Sequence, residues 1–230
     1  TAILVGRATA AFAGADDAAC ARFLARQPEI CGLVMAGRGW RRVWGETQVT
    51  FLAHDVLALT GDADAFSQVN QAASRLLVHE LLDWGQFDER DRILELYAGA
   101  GNLTLAMAQQ ARAVVAVEQD KIAVAAGRAN ARRHRLENIR WLRADVETAV
   151  QSLSRDSERF TQIVLNPPRT GAKGIEGGLA GFAAEKIFYV SCNPATLARD
   201  LGALKKFDYT LTRVRPFDLF PHTFHVETLA

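Results

Sequence analysis

The sequence is poor in cysteine and has no long apolar run. Its 230 residues include three cysteines, Cys20, Cys31 and Cys192. They match neither a disulfide framework nor the close ligand spacing of a metal site. No stretch approaches the ~20 apolar residues of a membrane-spanning helix, and no secretory pattern opens the chain. We therefore expect a protein without disulfides, bound metal or membrane association, in the reducing environment of the cytoplasm.

The chain also lacks a strong charge of either sign. Twenty-seven Lys and Arg residues against 26 Asp and Glu give a formal net charge of +1, which is no global sign of a nucleic-acid partner. A local basic cluster offers either a positive surface or a solvated helix face. It comprises Arg128, Arg132, Arg133, His134, Arg135, Arg140 and Arg143. The first residue is Thr1, within a strand-like run, so we expect a piece of a longer protein.

The organisation of the chain changes near residue 60. Before it, short strand-like runs surround one alanine-rich helix, which is typical of a small α+β unit. After it, strands and helices alternate, which predicts a doubly wound α/β sheet. We divide the chain into 1–62 and 63–230. The predicted helices lie at 16–26, 71–82, 103–109, 121–134, 177–184 and 195–206, and the strands at 3–5, 32–36, 49–53, 92–96, 113–117, 139–142, 162–165, 186–190, 209–214 and 224–229. The last two strands have no helix between them and predict an antiparallel end to the sheet.

One cysteine stands at a structural junction. The apolar strand 186–190 leads into Ser191-Cys192-Asn193-Pro194, where Asn193 is a candidate helix N-cap and Pro194 the first helical residue. The partial positive charge of a helix N-terminus stabilises a thiolate and lowers its pKa below the free value of about 8.5. Cys192 is therefore either a reactive nucleophile or a buried structural cysteine.

A glycine turn follows the first strand of the α/β part. Gly99 and Gly101 allow a ligand to approach the backbone closely. Thr104 stands where the third glycine of the dinucleotide fingerprint would be, which argues against a nicotinamide or flavin cofactor bound through its pyrophosphate. S-adenosylmethionine has no phosphate to hold. Glu118, at the tip of the next strand, is placed to accept hydrogen bonds from both ribose hydroxyls, or it is an exposed acid without a ligand.

Two further polar groups follow later strands. Asp145 can take an adenine amino group or cap the helix behind it. Asn166 begins Asn166-Pro167-Pro168-Arg169, a turn stiffened by two prolines that presents fixed acceptors to a planar base, or is an ordinary capped turn. In amino methyltransferases an aromatic residue follows Asn-Pro-Pro and the motif grips the target nitrogen. Arg169 occupies that position here, without an aromatic platform.

Five ordered segments of the sequence form a recognisable pattern. They are Gln68-Val69-Asn70, the turn from Tyr97 to Asn102, Asn166-Pro167-Pro168-Arg169, the run from Ser191 to Asp200, and the run from Asp218 to Glu227. Together they resemble the RNA uracil-C5 methyltransferase family. The resemblance covers essentially the whole chain and is closer to the ribosomal-RNA enzymes, acting on 23S rRNA, than to the transfer-RNA enzyme. It implies a class I, Rossmann-like, S-adenosylmethionine-dependent methyltransferase domain after a small α+β segment similar to the family's central subdomain.

The resemblance implies roles for particular residues. Uracil C5 is too weak a nucleophile to be methylated directly, so the Cys192 thiolate adds to C6 and activates C5. Glu227 is the candidate base that removes the C5 proton so that the thiolate can leave. The target uridine must be flipped out of its stack, against Phe220 or Tyr97. The implied cofactor contacts are Gln68, Tyr97, Asn102, Glu118, Asp145 and Asn166; the implied partner is RNA, with rRNA favoured over tRNA, and the chain is expected to be a monomer.

The sequence departs from the family pattern in two respects. The N-terminal RNA-binding β-barrel of bacterial members and the four-cysteine iron–sulfur motif of several of them are absent from these residues, so we expect no iron–sulfur cluster here. Asn166 stands where many members have aspartate, which exchanges a carboxylate for an amide. Two alternatives follow: an Asn-Pro-Pro-type amino methyltransferase, or a domain that binds the cofactor without turnover.

Overall fold

The chain folds into two compact units. The structure, a computed structural model, describes residues 2–54, 57–64, 70–223 and 225–230. Of these, 2–51 and 60–64 form the first unit, and the remaining described residues, including those between 52 and 59, form the second. The division of the domains after residue 62 stays a prediction.

The first unit contains a three-stranded sheet and one helix. Strand β1 (Ala2–Arg7) pairs in parallel with β2 (Ile30–Gly37), and helix α1 (Gly14–Ala25) connects them. Strand β3 (Trp40–Gly45) returns antiparallel to β2. The α+β character predicted for this segment is confirmed, while β3 was not anticipated. Two further strands, β4 (Gln48–His54) and β5 (Leu57–Asp62), form a two-stranded sheet of their own.

The second unit is organised around a seven-stranded sheet. The strands are β6 (Arg92–Leu96), β7 (Ala113–Glu118), β8 (Ile139–Arg143), β9 (Gln162–Leu165), β10 (Lys186–Ser191), β11 (Arg215–Phe217) and β12 (Glu227–Leu229). Their order is β11-β12-β10-β9-β6-β7-β8, with β6 to β10 parallel and β12 antiparallel to both β10 and β11. The inner parallel strands β6, β7, β9 and β10 are mostly apolar and mostly buried, as expected where both faces of a sheet are covered.

Helices separate the parallel strands, and side-chain caps define where several of them begin. Asp120 accepts a hydrogen bond from Ala123 N, and Asn70 accepts one from Ala73 N, as N-cap residues do. The helices are α2 (Gln71–Gly85), α3 (Thr104–Ala108), α4 (Lys121–Arg133), α5 (Val146–Arg155), α6 (Glu176–Gly181) and α7 (Pro194–Leu204), with a 3₁₀ turn at Lys205–Phe207. Among the described residues, none of the helices has both the length and the apolar character needed to cross a bilayer.

The topology gives the sheet one edge suited to a ligand. From β6 the chain builds outward through β7 to β8, then returns to place β9 on the other side of β6. In such sheets ligands bind outside the carboxyl ends of the strands at this reversal. The predicted doubly wound fold is therefore confirmed, and the residues that follow β6, β7, β9 and β10 meet at that edge.

The C-terminal part of the sheet corrects one prediction. A strand was predicted from Tyr209 to Val214, but those residues form no strand, and β11 begins at Arg215. Leu211 and Val214 are exposed, and the Tyr209 hydroxyl donates to Ala184 O. The predicted antiparallel end of the sheet is confirmed. Its last strand begins at Glu227, and Phe224 lies outside the described residues.

Glu95 is a buried carboxyl in the middle of this sheet. It lies on β6 and is 1% exposed, and its Oε2 has no hydrogen-bond partner within the described part of the chain. Burial raises the pKa of Glu95 to about 8, and the nearby Glu118 carboxylate also raises it. The side chain is therefore largely an uncharged acid at neutral pH.

We expect Glu95→Gln to flatten the dependence of stability on pH. The pKa of Glu95 is about 8 in the folded protein and has its ordinary value of 4.5 in the unfolded chain. Between pH 4.5 and pH 8, therefore, the unfolded chain has lost this proton while the folded chain still carries it. The free energy of unfolding therefore falls as the pH rises from about 4.5 to about 8, by a few kcal/mol at about 1.4 kcal/mol per pKa unit. Urea unfolding at pH 5 and pH 8 should show a smaller fall in the variant than in the wild type. If the free energy of unfolding fell equally in both proteins, the raised pKa of Glu95 would be contradicted.

Candidate active site

The glycine turn after β6 leaves its backbone open to a ligand. Tyr97 has a φ of +63°, a left-handed conformation uncommon outside glycine, and Gly99 follows with a φ of +57°. A Cβ built on Gly99 would meet no atom within 4 Å. Thr104, in place of a third glycine, is fully buried in α3. The approachable part of the turn is therefore Gly99.

Glu118 ties this turn to the end of β7. Its Oε2 accepts a hydrogen bond from Gly99 N at 2.9 Å, and its Oε1 accepts one from Asp120 N at 2.8 Å. Each carboxylate oxygen can accept a second hydrogen bond. The structure therefore places the acid predicted to bind ribose directly beside the open glycine.

Two other predicted contacts lie at the ends of neighbouring elements. Asp145 caps α5, with Oδ1 accepting from Glu147 N and Thr148 N, so the capping alternative is confirmed. Its Oδ2 accepts no hydrogen bond from a described residue. Burial raises the pKa of the Tyr97 hydroxyl, and the charge of Asp145 raises it further, which places the two side chains at one edge. Asn102 donates to Ser74 Oγ on α2. Gln68 lies outside the described residues.

Asn166 follows β9 at the same edge. Its backbone N–H donates to Leu96 O at 3.3 Å, which fixes the start of the turn against the end of β6. Its side-chain amide forms no hydrogen bond with the described residues and is half-buried. Gly171 N then donates to Pro168 O at 2.8 Å and closes the turn. The amide is therefore available at the edge that also carries Tyr97.

The predicted junction around Cys192 is confirmed. Strand β10 ends at Ser191, and Pro194 begins α7. Asn193 is the N-cap, with its Oδ1 accepting from Ala195 N at 3.0 Å and from Thr196 N at 3.5 Å. Cys192 is a half-buried free thiol between the strand and the cap.

The structure brings Glu227 to this cysteine. Strand β12 pairs antiparallel with β10 in a register that sets Val190 against Leu229 and Ser191 against Thr228. One more step of the same register sets Cys192 against Glu227. Glu227 is 3% exposed, and its charge acts on the thiol. Two residues that lie 35 positions apart in the sequence are therefore neighbours.

The predicted low pKa of Cys192 is wrong. Burial raises the pKa of the thiol above its ordinary value, and the Glu227 carboxylate raises it further. The first N–H groups of the helix are bonded to Asn193 Oδ1. The thiol is therefore not activated by the helix alone.

Arg169 acts in the opposite direction on the same thiol. Its backbone is held beside Cys192, because the next residue, Asn193, donates from Nδ2 to Arg169 O at 3.3 Å, and the charge of its guanidinium lowers the pKa of the thiol. The sequence reasoning noticed Arg169 only as a missing aromatic platform. A usable signal was present, since an arginine directly after a rigid turn is suited to stabilising an anion at that edge.

Glu227 is itself a perturbed acid. Burial raises its pKa to about 7. A carboxyl with this pKa exchanges a proton near neutral pH, as a general base requires. The edge of the sheet thus holds a thiol, an arginine that favours its ionised form, a buried carboxyl with a pKa of about 7 and an open glycine turn.

Comparison with known proteins places this arrangement in a family. The sequence profile of the family described as tRNA (Uracil-5-)-methyltransferase matches residues 53–229. The 23S rRNA (uracil(1939)-C(5))-methyltransferase RlmD of Mannheimia succiniciproducens is 37% identical over 188 residues, which cover 82% of this chain and 42% of that protein. The chain belongs to the uracil-C5 methyltransferase family.

Other relatives agree with this assignment. RlmD of Aliivibrio salmonicida is 34% identical over 228 residues, covering 99% of this chain and 52% of that protein. The chain therefore spans about half the length of the curated uracil-C5 methyltransferases that it matches. The structure of the Pyrococcus abyssi tRNA (uracil-54, C5)-methyltransferase in complex with S-adenosyl-L-homocysteine superposes with a TM-score of 0.69 at 24% identity, covering 86% of this chain and 50% of that one. This likeness shows the methyltransferase fold.

The basic cluster of this uracil-C5 methyltransferase chain is partly engaged within the protein. Arg140 forms an ion pair with Glu158 at 2.6 Å, and Arg128 donates to Trp141 O at 3.1 Å. His134 Nε2 lies 2.8 Å from Ala58 O. These contacts involve three of the seven residues of the cluster, and the choice between a positive surface and a solvated helix face stays a prediction.

Proposed function

We propose that this chain is the catalytic part of an RNA uracil-C5 methyltransferase. It transfers a methyl group from S-adenosylmethionine to C5 of a uridine, in 23S rRNA rather than in tRNA. The observation that carries the proposal is the adjacency of Cys192 and Glu227 at the ligand edge of the sheet. The names of the RlmD relatives favour 23S rRNA as the substrate. Residues 63–230 form the methyltransferase domain in this proposal, and 1–62 the family's central subdomain.

The residues at the edge fit S-adenosylmethionine. Gly99 leaves open space for the cofactor, and the cofactor has no pyrophosphate that would require a third glycine. Glu118 is placed for the ribose hydroxyls, and the unused Oδ2 of Asp145 for the adenine amino group. Tyr97, Asn102, Gln68 and Asn166 complete the proposed contacts. The bound cofactor would supply an electrophilic methyl group and would remain as S-adenosylhomocysteine once its sulfur–methyl bond breaks.

We expect Glu118→Gln to weaken cofactor binding by about 10- to 100-fold. Hydrogen bonds to a charged group contribute about 1.5–3 kcal/mol, and the amide keeps only one acceptor oxygen. Calorimetric titration with S-adenosylmethionine measures the change. Glu137→Gln, at an exposed glutamate before β8, is the matched control and should bind like the wild type. Equal affinity in the two variants would contradict the ribose assignment.

The reaction begins and ends at Cys192. The thiolate sulfur forms a bond to C6 of the uracil, and the C5–C6 double-bond electrons move into an enolate that C5 uses to take the methyl group. Glu227 then removes the proton that C5 still carries. The electron pair of that C–H bond re-forms the C5–C6 double bond as the C6–S bond breaks. The thiolate leaves and 5-methyluridine is released.

Arg169 favours the ionised form of the thiol. Burial and the Glu227 carboxylate raise the pKa of Cys192 even with Arg169 present, and the charge of Arg169 offsets part of that rise. The guanidinium provides that charge without taking a proton itself. This role supports a nucleophilic function for Cys192 over a purely structural one.

The proton removal should depend on pH through Glu227. With a pKa of about 7, the carboxyl is mostly protonated at pH 6 and mostly ionised at pH 8. Because only the ionised form accepts a proton, release of methylated RNA from the covalent complex should accelerate by about tenfold between these values. Single-turnover measurement of released RNA tests this. A flat profile over the same range would exclude Glu227 with this pKa as the base.

The two alternatives predict different products. An amino methyltransferase needs an aromatic platform after Asn-Pro-Pro, and the exposed Arg169 stands there. A domain that binds the cofactor without turnover would bind S-adenosylmethionine and produce no 5-methyluridine. The test is incubation of the purified protein with S-adenosylmethionine and total RNA from a strain lacking the gene, followed by mass-spectrometric mapping of 5-methyluridine. Methylation of a nitrogen, or no methylation of RNA, would reject the proposal.

A further inference from the structure

A buried network of polar side chains lies behind the loop that carries Arg169. Asp200, on α7, is 1% exposed, and its Oδ2 accepts a hydrogen bond from the Tyr189 hydroxyl at 2.6 Å. Tyr189, on β10, is also 1% exposed. The mechanism uses neither residue. Buried polar groups of this kind are costly unless all of their hydrogen bonds are satisfied.

The network is bonded to the backbone of the loop. Asp200 Oδ2 also accepts from Ala172 N at 2.8 Å, and Ala172 N lies 3.1 Å from the Tyr189 hydroxyl oxygen. Asp200 Oδ1 accepts from Arg199 Nε at 2.7 Å, and Arg199 Nη2 donates to Thr170 O at 2.8 Å. The side chains of Tyr189, Asp200 and Arg199 therefore hold two backbone groups of the loop, the N–H of Ala172 and the carbonyl of Thr170.

The N-terminal turn of α7 holds the loop at a third point. Asn193 Nδ2 and Thr196 Oγ1 both donate to Arg169 O, at 3.3 Å and 3.2 Å. Gly171, between the fixed points, has a φ of +78°, and a Cβ there would overlap the Asp200 carboxylate and lie 2.5 Å from Arg199 Nη2. The loop is thus packed directly on the network, and only glycine fits at its closest approach.

All of these anchors belong to the segment that carries Cys192. Tyr189 lies three residues before Cys192 on β10, and Asp200 lies on the helix that follows it. Because the loop is fastened to this segment, the backbone of Arg169 keeps a fixed distance from the thiol. Fixing a charged group in place before the reaction is how proteins obtain electrostatic stabilisation without reorganisation.

We propose that Tyr189, Asp200 and Arg199 are positioning residues that hold the loop 169–172 so that the Arg169 guanidinium stays at the Cys192 thiolate. The proposal rests on the proposed nucleophilic role of Cys192. It assigns to the network an effect on the reactivity of the thiol in addition to any effect on stability. The groups that face the thiol are the Glu227 carboxylate from β12 and the Arg169 guanidinium from the loop, and the network acts through the second.

The test follows the alkylation of Cys192 by iodoacetamide as a function of pH, with the modified peptide quantified by mass spectrometry. Alkylation reports the thiolate fraction and needs neither RNA nor cofactor. Arg169→Gln should raise the midpoint of this pH profile by about one pH unit, because it removes a positive charge that favours the thiolate. Tyr189→Phe should move it in the same direction by part of that amount. Both side chains at position 189 are uncharged, so such a shift must be transmitted through the loop.

Two comparisons separate positioning from stability. Tyr209→Phe removes a hydrogen bond of similar length, to Ala184 O, away from the loop, and should leave the midpoint at the wild-type value. In the double variant of Arg169→Gln and Tyr189→Phe, the midpoint should equal that of Arg169→Gln alone, since the network has nothing left to position. Arg199→Lys provides a second perturbation of the network at an exposed position and should shift the midpoint in the same direction as Tyr189→Phe.

The proposal is overturned if Tyr189→Phe lowers the melting temperature but leaves the midpoint unchanged while Arg169→Gln shifts it. It is also overturned if the Tyr189→Phe shift persists in full in the double variant, or if Arg169→Gln has no effect. If one of these outcomes is found in a protein that methylates RNA normally, only the positioning proposal is rejected and the proposed function is retained. Conversely, the predicted shifts in a protein that makes no 5-methyluridine would reject the function and keep the positioning.

Discussion

Cys192→Ala is expected to lower the rate of RNA methylation by at least about 10⁴-fold. Without the sulfur, no bond forms at C6 and C5 is never activated, and loss of a covalent nucleophile has effects of this order or larger. Binding of S-adenosylmethionine should be unchanged, because the proposed cofactor contacts come from the ends of other strands. Methyl transfer to the rRNA and calorimetric titration with the cofactor are measured on the same preparation.

A matched cysteine distinguishes chemistry from the general effect of removing a thiol. Cys20 is also a free, half-buried thiol, and it lies on α1 in the first unit. Cys20→Ala should therefore methylate RNA at the wild-type rate. If Cys192→Ala retained more than about a tenth of the activity, Cys192 would not be the nucleophile.

Glu227→Gln is expected to stop the reaction at a different point. The amide cannot accept the C5 proton, so turnover should fall by about 10²- to 10⁴-fold, the usual contribution of a general base. The earlier steps need only the thiolate and the cofactor. The variant should therefore accumulate a methylated RNA–protein complex with ordinary, unsubstituted RNA, visible as a shifted band on a denaturing gel.

The control for this variant is a second poorly exposed glutamate far from the thiol. Glu158 forms ion pairs with Arg92 and Arg140, and its side chain is 14% exposed. Glu158→Gln should release its methylated RNA as the wild type does. If Glu227→Gln turned over slowly without accumulating the complex, Glu227 would act in a step before methyl transfer. Its assignment as the base that removes the C5 proton would then be rejected.

Sequence reasoning succeeded where structure is determined locally. The arrangement of strand, cysteine, cap and proline around Cys192 follows from neighbouring residues, and so do the buried parallel strands. It failed at 209–214, where a strand was predicted, because strand pairing depends on a partner from elsewhere in the chain.

The properties of the site were less predictable because distant residues create them. The helix N-terminus predicted a low pKa for Cys192, yet burial and Glu227, 35 residues away, raise it. Arg169, which lowers the pKa of the thiol, belongs to the loop after another strand. The hydrogen bond between Tyr189 and Asp200 likewise exists only once β10 and α7 are packed together.

The most direct test of the account is to identify the atom that holds the RNA. The protein is incubated with S-adenosylmethionine and a 23S rRNA fragment containing 5-fluorouridine, whose fluorine blocks removal of a proton from C5. After denaturation and digestion, mass spectrometry should find a methylated fluorouridine attached to the peptide that contains Cys192. RNA methylation by a protein that forms no such adduct, or that forms it on Cys20 or Cys31, would contradict the account.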